Sequence, residues 1–367
     1  MLGMIPELTM DSGVLTKIDP HFLRHLPLTG RHAYFSQGYF GETSTVAVVD
    51  TGVNPRHPEF LDEKGKSRVV ALLNFTRYGN GEDDNGHGTH VAGTIAGRNV
   101  GVAPKAKILS VKVVDGAGGS DWNTISAGLE AALKWRDSKG RKVTAVSMSL
   151  SNTERAGVDR LRNAIKALTD AEIPVICSAG NTGTYQERYP ASFYEPITVG
   201  AVDVDNLEAA AFTTQHPEVD LCQVGVNVLS AWYQGGYRVM SGTSMSTPIV
   251  AGIAALVKDK HYQIFKADMP EMVLYWMLKN MSKDLGAKGV DTKTGAGFCT
   301  LQPVVCDLYT RAGDNYMTLN GKRIDLMVPV IVLDPGVTTL PARAFVENCF
   351  GGLVEWNPET KFARFRL

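Results

Sequence analysis

The chain is 367 residues long, 44% hydrophobic and 20% charged, the profile of an ordinary soluble globular protein. With 37 basic against 38 acidic residues the formal net charge is −1, which leaves no electrostatic footprint for nucleic acid or an anionic membrane. The length exceeds what one hydrophobic core usually organises and allows a large domain plus something smaller.

In chain order, the N-terminus MLGMIPELTMDS contains acids and lacks the basic stretch, apolar run and small-residue cleavage site of a secretory signal. No apolar run approaches the ~20 residues of a membrane span. A cytoplasmic location is therefore expected, with export by another route left open. Cys177, Cys222, Cys299, Cys306 and Cys349 are odd in number and show no paired metal-ligand spacing, which favours reduced thiols. Cys177 lies in an apolar run and reads as a small buried hydrophobe.

The runs STVAVVD (44–50), KILSVKVVD (107–115), KVTAVSMSL (142–150), IPVICSAG (173–180) and ITVGAV (197–202) are continuous and β-rich. They predict strands buried on both faces of a parallel sheet. Between them, Thr124–Trp135 and Val158–Thr169 carry apolar residues at helical spacing. The fold class expected is α/β, a doubly wound, mostly parallel sheet flanked by helices, with a small α+β domain at the C-terminus. The expected division is an N-terminal extension (1–17), a main domain (18–306), a linker (307–320) and an accessory domain (321–367).

Ligand sites in such sheets gather outside the carboxyl ends of the strands. Asp50, the stretch Ser149 to Asn152, and Asn181 fall there, while His87 and Ser244 open helices. Acyl transfer needs a nucleophile, a base, a group orienting the base and donors for an oxyanion. Ser244, in SGTSMSTP, would sit at a helix N-terminus, where backbone N–H groups favour negative charge; it also reads as an ordinary N-cap. Pro248 follows early in the same helix, where a missing N–H costs little. His87, in DNGHGTHVAGT, is flanked by glycines that permit close backbone approach, and histidine is the commonest general base. His90 three residues on leaves a metal-ligand pair as a second possibility. Asp50 ends a hydrophobic strand as an orienting acid, or as a cap before Thr51.

The motifs VAVVDTGVNPRHPEF, NGHGTHVAGTIAG, VAPKAKILSVKV, SMSLSNT, SAGNTG, YPASF…ITVGAV and SGTSMSTP, in that order, resemble the subtilisin-like serine peptidases from about residue 15 to 305. The resemblance implies a serine endopeptidase with Ser244 as nucleophile, His87 as general base and acid, Asp50 holding the imidazole, and Asn181 donating to the oxyanion. It implies protein or peptide substrates bound as an added strand between Gly118, Gly119 and Ser120 on one side and Ser149, Leu150 and Ser151 on the other. It implies no catalytic cofactor and no catalytic metal. The competing class is a catalytically silent binding protein on a peptidase scaffold, working through its tail.

The chain departs from the family in four places. Ser151-Asn152 replaces the usual Gly-Gly. Arg188 replaces a small residue before Tyr189-Pro190 near the base of the primary pocket, which suggests a preference for acidic side chains; alternatively Arg188 neutralises Glu187 or reaches solvent. The segment Ile95 to Pro104 is shorter than a calcium-binding loop, and Glu82-Asp83-Asp84 could bind structural calcium or form a solvated acidic loop. The 49 residues before Asp50 are too few for a folded pro-domain and resemble the short extension of intracellular subtilisins. Met4-Ile5-Pro6-Glu7 is expected across the active site, with a frayed terminus as the alternative. The tail from Leu319 to Trp356 resembles the domain named after the N-terminal domain of copper amine oxidases; it supplies no copper ligands and reads as a targeting, binding or stabilising module. The frequent company of that domain with exported proteins argues against a purely cytoplasmic life.

Overall fold

A computed structural model describes residues 2–4, 9–10, 13–77, 79–301 and a set of short strands beyond 301. Contacts divide the chain into two units, Met1–Lys260 with Pro270–Leu301, and His261–Met269 with Gln302–Leu367.

The first unit begins with two short strands, β1 (Leu2–Gly3) and β2 (Thr9–Met10), followed by single-turn helices α1 (His25–Leu28) and α2 (His32–Phe35). Then come β3 (Thr45–Asp50), β4 (Val69–Asn74), α3 (His87–Ala96), β5 (Lys107–Lys112), β6 (Gly119–Ser120) and α4 (Trp122–Lys134). They continue with β7 (Ala145–Met148), α5 (Val158–Asp170), β8 (Val175–Ser178), β9 (Ile197–Val202) and β10 (Val219–Val224). The hairpin β11 (Val228–Ala231) and β12 (Tyr237–Ser241) leads into α6 (Thr243–Phe265), and α7 (Glu271–Asn280) follows.

Seven strands form one sheet in the order β10-β9-β8-β7-β3-β5-β4, all parallel. Chain order reverses beside β3, the switch point at which an open α/β sheet builds its site. Every residue of β3, β7, β8 and β9 is buried, as strands covered by helices on both faces must be. All five expected runs are strands here: ITVGAV is β9 over its whole length, and the other four are shortened at one or both ends. Strands β4 and β10 were not among them: Asp220 and Gln223 interrupt β10, whereas β4 carries the apolar run Val69 to Leu73 although four of its six residues are only half buried. The expected helices are α4 and α5, and α5 turns Leu161, Ala164, Ile165 and Leu168 inward at helical spacing.

In the second unit the described segments after residue 301 are antiparallel strands. These are β13 (Leu308–Tyr309), β14 (Tyr316–Leu319), β15 (Lys322–Asp325), β16 (Ile331–Asp334), β17 (Val337–Thr339), β18 (Leu353–Asn357) and β19 (Phe362–Arg366). The stretch expected as a linker thus includes β13 and β14. Residues 340–352 lie outside the described residues, as does Cys306.

Candidate active site

Asp50 is the last residue of β3 and is fully buried. Its Oδ1 meets Nδ1 of His87 at 2.7 Å and accepts from the Thr51 N–H at 2.7 Å. His87 opens α3, preceded by Gly86 at φ 112°, a left-handed conformation glycine tolerates, with the Trp232 ring packed where a Cβ would stand. Gly88 permits the closest approach: a Cβ there would lie 2.2 Å from Gly52 O and 3.1 Å from Asp50 Oδ1. The glycines on both sides of His87 are therefore the condition for bringing α3 onto the end of β3.

Asp83 fixes this junction. Its Oδ1 accepts from Thr51 Oγ1 (2.8 Å), Asn85 N (3.0 Å) and Gly86 N (2.9 Å), and its Oδ2 accepts from Thr89 N (2.9 Å) and Thr89 Oγ1 (2.6 Å). Thr51 Oγ1 in turn accepts from Gly88 N at 2.9 Å. The acidic trio is therefore not a solvated loop. Glu82 pairs with Arg56, Asp83 caps α3, and Asp84 takes the ammonium of Lys112 at 2.6 Å. Lys112, 1% exposed at its side chain, also donates to Thr51 O (2.6 Å) and Val114 O (3.0 Å). These three carboxylates face three different partners, and no group of three or more metal-ligating side chains occurs among the described residues. The Asp83 cap was legible as an acid just ahead of a helix start. The Lys112 link was not, because its partners come together only in the fold.

His90 does not pair with His87 as a ligand set. Its Nε2 faces the carbonyls of Val228 and Arg238, both at 3.1 Å, and burial lowers its pKa to about 3. A neutral ring donating between two carbonyls is a strut between α3 and the β11–β12 hairpin.

Ser244 is the second residue of α6 and is fully buried. Asn181, just beyond β8, takes the Thr243 N–H on Oδ1 at 2.9 Å and the Thr243 hydroxyl at 2.8 Å. This commits the amide oxygen to the helix start and turns the other end of the carboxamide, a donor, away from Thr243. Ser244 Oγ donates to Ser149 O at 3.3 Å, and Ser149 Oγ donates to Ser244 O at 3.0 Å. Pro248 explains the second bond. It lies beyond the first turn of α6, so its missing N–H leaves the Ser244 carbonyl without its i+4 donor, and Ser149 supplies one. The proline is accommodated by a neighbouring strand end rather than by its position in the helix. His87 Nε2 is buried with no hydrogen-bond partner, so the fold brings Asp50 to His87 directly and ties Ser244 to Ser149, while the His87 to Ser244 bond is not made.

The two expected edges flank a cleft already holding chain. β1 pairs antiparallel with β6, Leu2 opposite Ser120 and Gly3 opposite Gly119. Met4 N donates to Gly118 O at 3.0 Å, and Ser151 N donates to Met4 O at 3.1 Å. The Met4 side chain is fully buried in one apolar cluster with Val114 and Leu150. β2 pairs with β12, Met10 opposite Met240 and Thr9 opposite Ser241. Ile5, Pro6 and Glu7 lie outside the described residues. Arg188 lies against Ser151, on one edge of the cleft. Its Nε donates to Ser151 Oγ (3.1 Å), Nη2 to Ser151 O (3.2 Å) and Nη1 to Gln186 Oε1 (3.1 Å), and its Cδ lies 2.7 Å from where a Gly180 Cβ would stand. It does not neutralise Glu187, which instead accepts from Arg155 (2.6 Å) and the Tyr189 hydroxyl (2.7 Å).

Cys177, Cys222 and Cys299 are buried free thiols. Burial pushes the Cys177 thiol up to about 12, so it is inert, as its apolar run suggested.

A parallel sheet that delivers a buried aspartate–histidine pair beside a serine at a helix start defines the class: an α/β serine peptidase. Residues 41–297 match the Subtilase family. An intracellular serine protease of Paenibacillus polymyxa is 38% identical over 261 residues, 67% of this chain and 76% of that protein. A thermostable alkaline protease of Halalkalibacterium halodurans is 38% identical over 231 residues, 62% of this chain and 60% of that protein. The major intracellular serine protease of Bacillus subtilis is 35% identical over 283 residues, 73% of this chain and 84% of that protein. The chain belongs to the subtilase family and is a serine endopeptidase acting on protein or peptide substrates.

Proposed function

We propose that Asp50, His87, Ser244 and Asn181 carry the hydrolysis. Ser244 Oγ turns from Ser149 O toward His87 Nε2, gives up its proton and attacks the scissile carbonyl carbon. Asp50 holds His87 by Nδ1 and stabilises the imidazolium that forms. The tetrahedral oxyanion takes hydrogen bonds from Asn181 Nδ2 and the Ser244 N–H. His87 then protonates the departing amine, and water repeats the sequence on the acyl-enzyme to release the acid. The observation that carries this assignment is the buried 2.7 Å contact of His87 Nδ1 with Asp50, which leaves His87 Nε2 as the buried, unpartnered end of the ring. A fluorophosphonate probe reports an activated serine. Labelling of the chain that disappears in Ser244→Ala is expected, and undiminished labelling of that variant would exclude Ser244 as nucleophile. The silent-scaffold alternative is not favoured, because every position the chemistry needs is filled.

The same cleft supports self-inhibition by residues 1–17. Pairing of β1 with β6, burial of Met4 and its bonds to Gly118 O and the Ser151 N–H are what an extended peptide lying along both edges would make. The Arg188 guanidinium between Ser151 and Gly180 favours an acidic side chain in the primary pocket. The proposed steps draw on these side chains, the Ser244 N–H and water, and any structural calcium ion would stand apart from them. Two of the relatives are named intracellular, and no helix among the described residues is long and apolar enough to cross a membrane. Together these favour cytoplasmic action. The C-terminal tail, which resembles the copper amine oxidase N-terminal-like domain, fits a binding or stabilising module, supported by its partition as a separate unit of antiparallel strands.

A further inference from the structure

We infer that the Asn152 carboxamide is a substrate-binding group of the cleft, a side-chain donor that holds a main-chain carbonyl of the bound peptide. The inference rests on the peptidase reading above and concerns a residue outside its chemistry.

Three observations carry it. First, both main-chain groups of Asn152 are engaged away from the cleft: its N–H donates to Tyr189 O at 3.1 Å, and its carbonyl accepts from Tyr189 N at 2.8 Å. An edge built only from backbone would therefore offer an extended peptide nothing at this position. Second, the side chain is aimed. Oδ1 accepts from the Glu154 N–H at 2.9 Å, which fixes the amide plane and makes Nδ2 the end that faces the cleft. Third, Nδ2 has an extended chain in front of it and donates to Gly3 O at 2.6 Å. That carbonyl belongs to the residue paired with Gly119, one before Met4, whose own carbonyl takes the Ser151 N–H.

The occupant of the cleft is thus gripped from one wall by two consecutive donors, one from backbone and one from a side chain. A glycine at 152 could not supply the second. Because the group gripped is an amide carbonyl, the contact selects for an extended polypeptide that reaches this far and is indifferent to the side chain there. Nothing about β1 makes the contact private to it: any chain entering in the same register presents the same carbonyl.

The test is a nested series of peptide amides with one to four residues before a chromogenic leaving amine, hydrolysed by the full chain and by Asn152→Asp and Asn152→Gly. Asn152→Asp keeps the acceptor for Glu154 N but replaces the donor by an oxygen facing the carbonyl. Any general change in self-inhibition or in wall packing alters the rate on every substrate by a common factor. Loss of the proposed contact instead appears only from the length at which a carbonyl reaches Nδ2. The expected result is a fall in kcat/KM of roughly two- to tenfold, the range of a single hydrogen bond, carried by KM and confined to the longer substrates, with Asn152→Asp at least as impaired as Asn152→Gly. An equal factor at every length, or no loss at any length, overturns the inference. Deuterium exchange of residues 2–4 in full-chain Ser244→Ala, with and without Asn152→Asp, reads the contact without catalysis. Faster exchange in the double variant is expected, and unchanged exchange overturns the contact. A chain without Ser244-dependent hydrolysis would sink the functional reading alone, and the exchange arm would still decide Asn152.

Discussion

Asp83 shows how much positioning lies behind an aspartate–histidine pair. One carboxylate collects five hydrogen bonds from the start of α3 and from Thr51, whose own N–H bonds the Asp50 carboxylate. Asp83→Asn replaces one acceptor oxygen by a donor facing donors, so at least one buried N–H or hydroxyl loses its partner. A loss of about 1–3 kcal/mol in unfolding free energy is expected, with kcat reduced and KM nearly unchanged, because the junction that fails orients groups rather than binding substrate. Denaturant unfolding and steady-state kinetics on the same variant check both halves. Arg188 acts on selectivity instead. Arg188→Gly, the size of residue the family usually carries, is expected to erase any advantage of glutamate or aspartate over leucine in a peptide-library profile. A wild-type profile with no acidic gain refutes the preference outright.

Among the elements, the start of α6 depends on a strand end. Ser149, just after β7, supplies the donor that Pro248 withholds from the Ser244 carbonyl. Ser149→Ala should therefore cost about 1–3 kcal/mol in stability. The cost should shrink in a Pro248→Ala background, where residue 248 regains an N–H four residues after Ser244. A double-mutant cycle that proves additive would deny the coupling. The N-terminal strands make the second element-scale prediction. Deleting residues 1–9 removes β1 and Met4 from the cleft edges and Thr9 from its pairing with β12, and is expected to raise kcat/KM on a short peptide amide. Unchanged activity would mean that these strands do not compete with substrate.

For the molecule as a whole, two buried histidines tie stability to pH. Burial, with Arg31 adding to it at His25 and His87 adding to it at His90, lowers both pKa values from 6.5 to about 3. Between those values the unfolded chain binds one more proton at each ring than the folded chain does. Their contribution is complete above pH 6.5 and is lost as pH falls, by about 1.4 kcal/mol per pH unit for each ring. Glu271 works in the opposite sense. Burial and the neighbouring Glu172 raise it from 4.5 to about 7, so between those values the folded chain holds the extra proton and stability rises as pH falls. The net loss on acidification should therefore be shallow between pH 6.5 and 4.5 and steeper below 4.5. Urea unfolding at pH 7, 5.5, 4.5 and 3.5 with catalysis blocked by Ser244→Ala reads these slopes, and a constant slope across pH 4.5 would contradict them.

The sequence by itself determined five of the seven sheet strands, the two amphipathic helices, and the order in which the candidate residues Asp50, His87, Asn181 and Ser244 stand. Strands buried on both faces must be continuous apolar runs, and a site at strand ends and helix starts needs glycine, serine and asparagine at fixed places beside them. Runs of that kind are local, so they can be read along the chain. Strand β10 escaped because Asp220 and Gln223 interrupt its apolar residues, and the acidic trio looked solvated because each carboxylate finds its partner through the fold: Arg56, Thr51 and Thr89, and Lys112. Only the tertiary structure decided that Arg188 bonds Ser151, that Ser149 replaces the N–H missing at Pro248, and that the Asn152 side chain faces the cleft. These depend on hydrogen bonds between residues dozens of positions apart, and no spacing in the sequence records which donor will meet which acceptor.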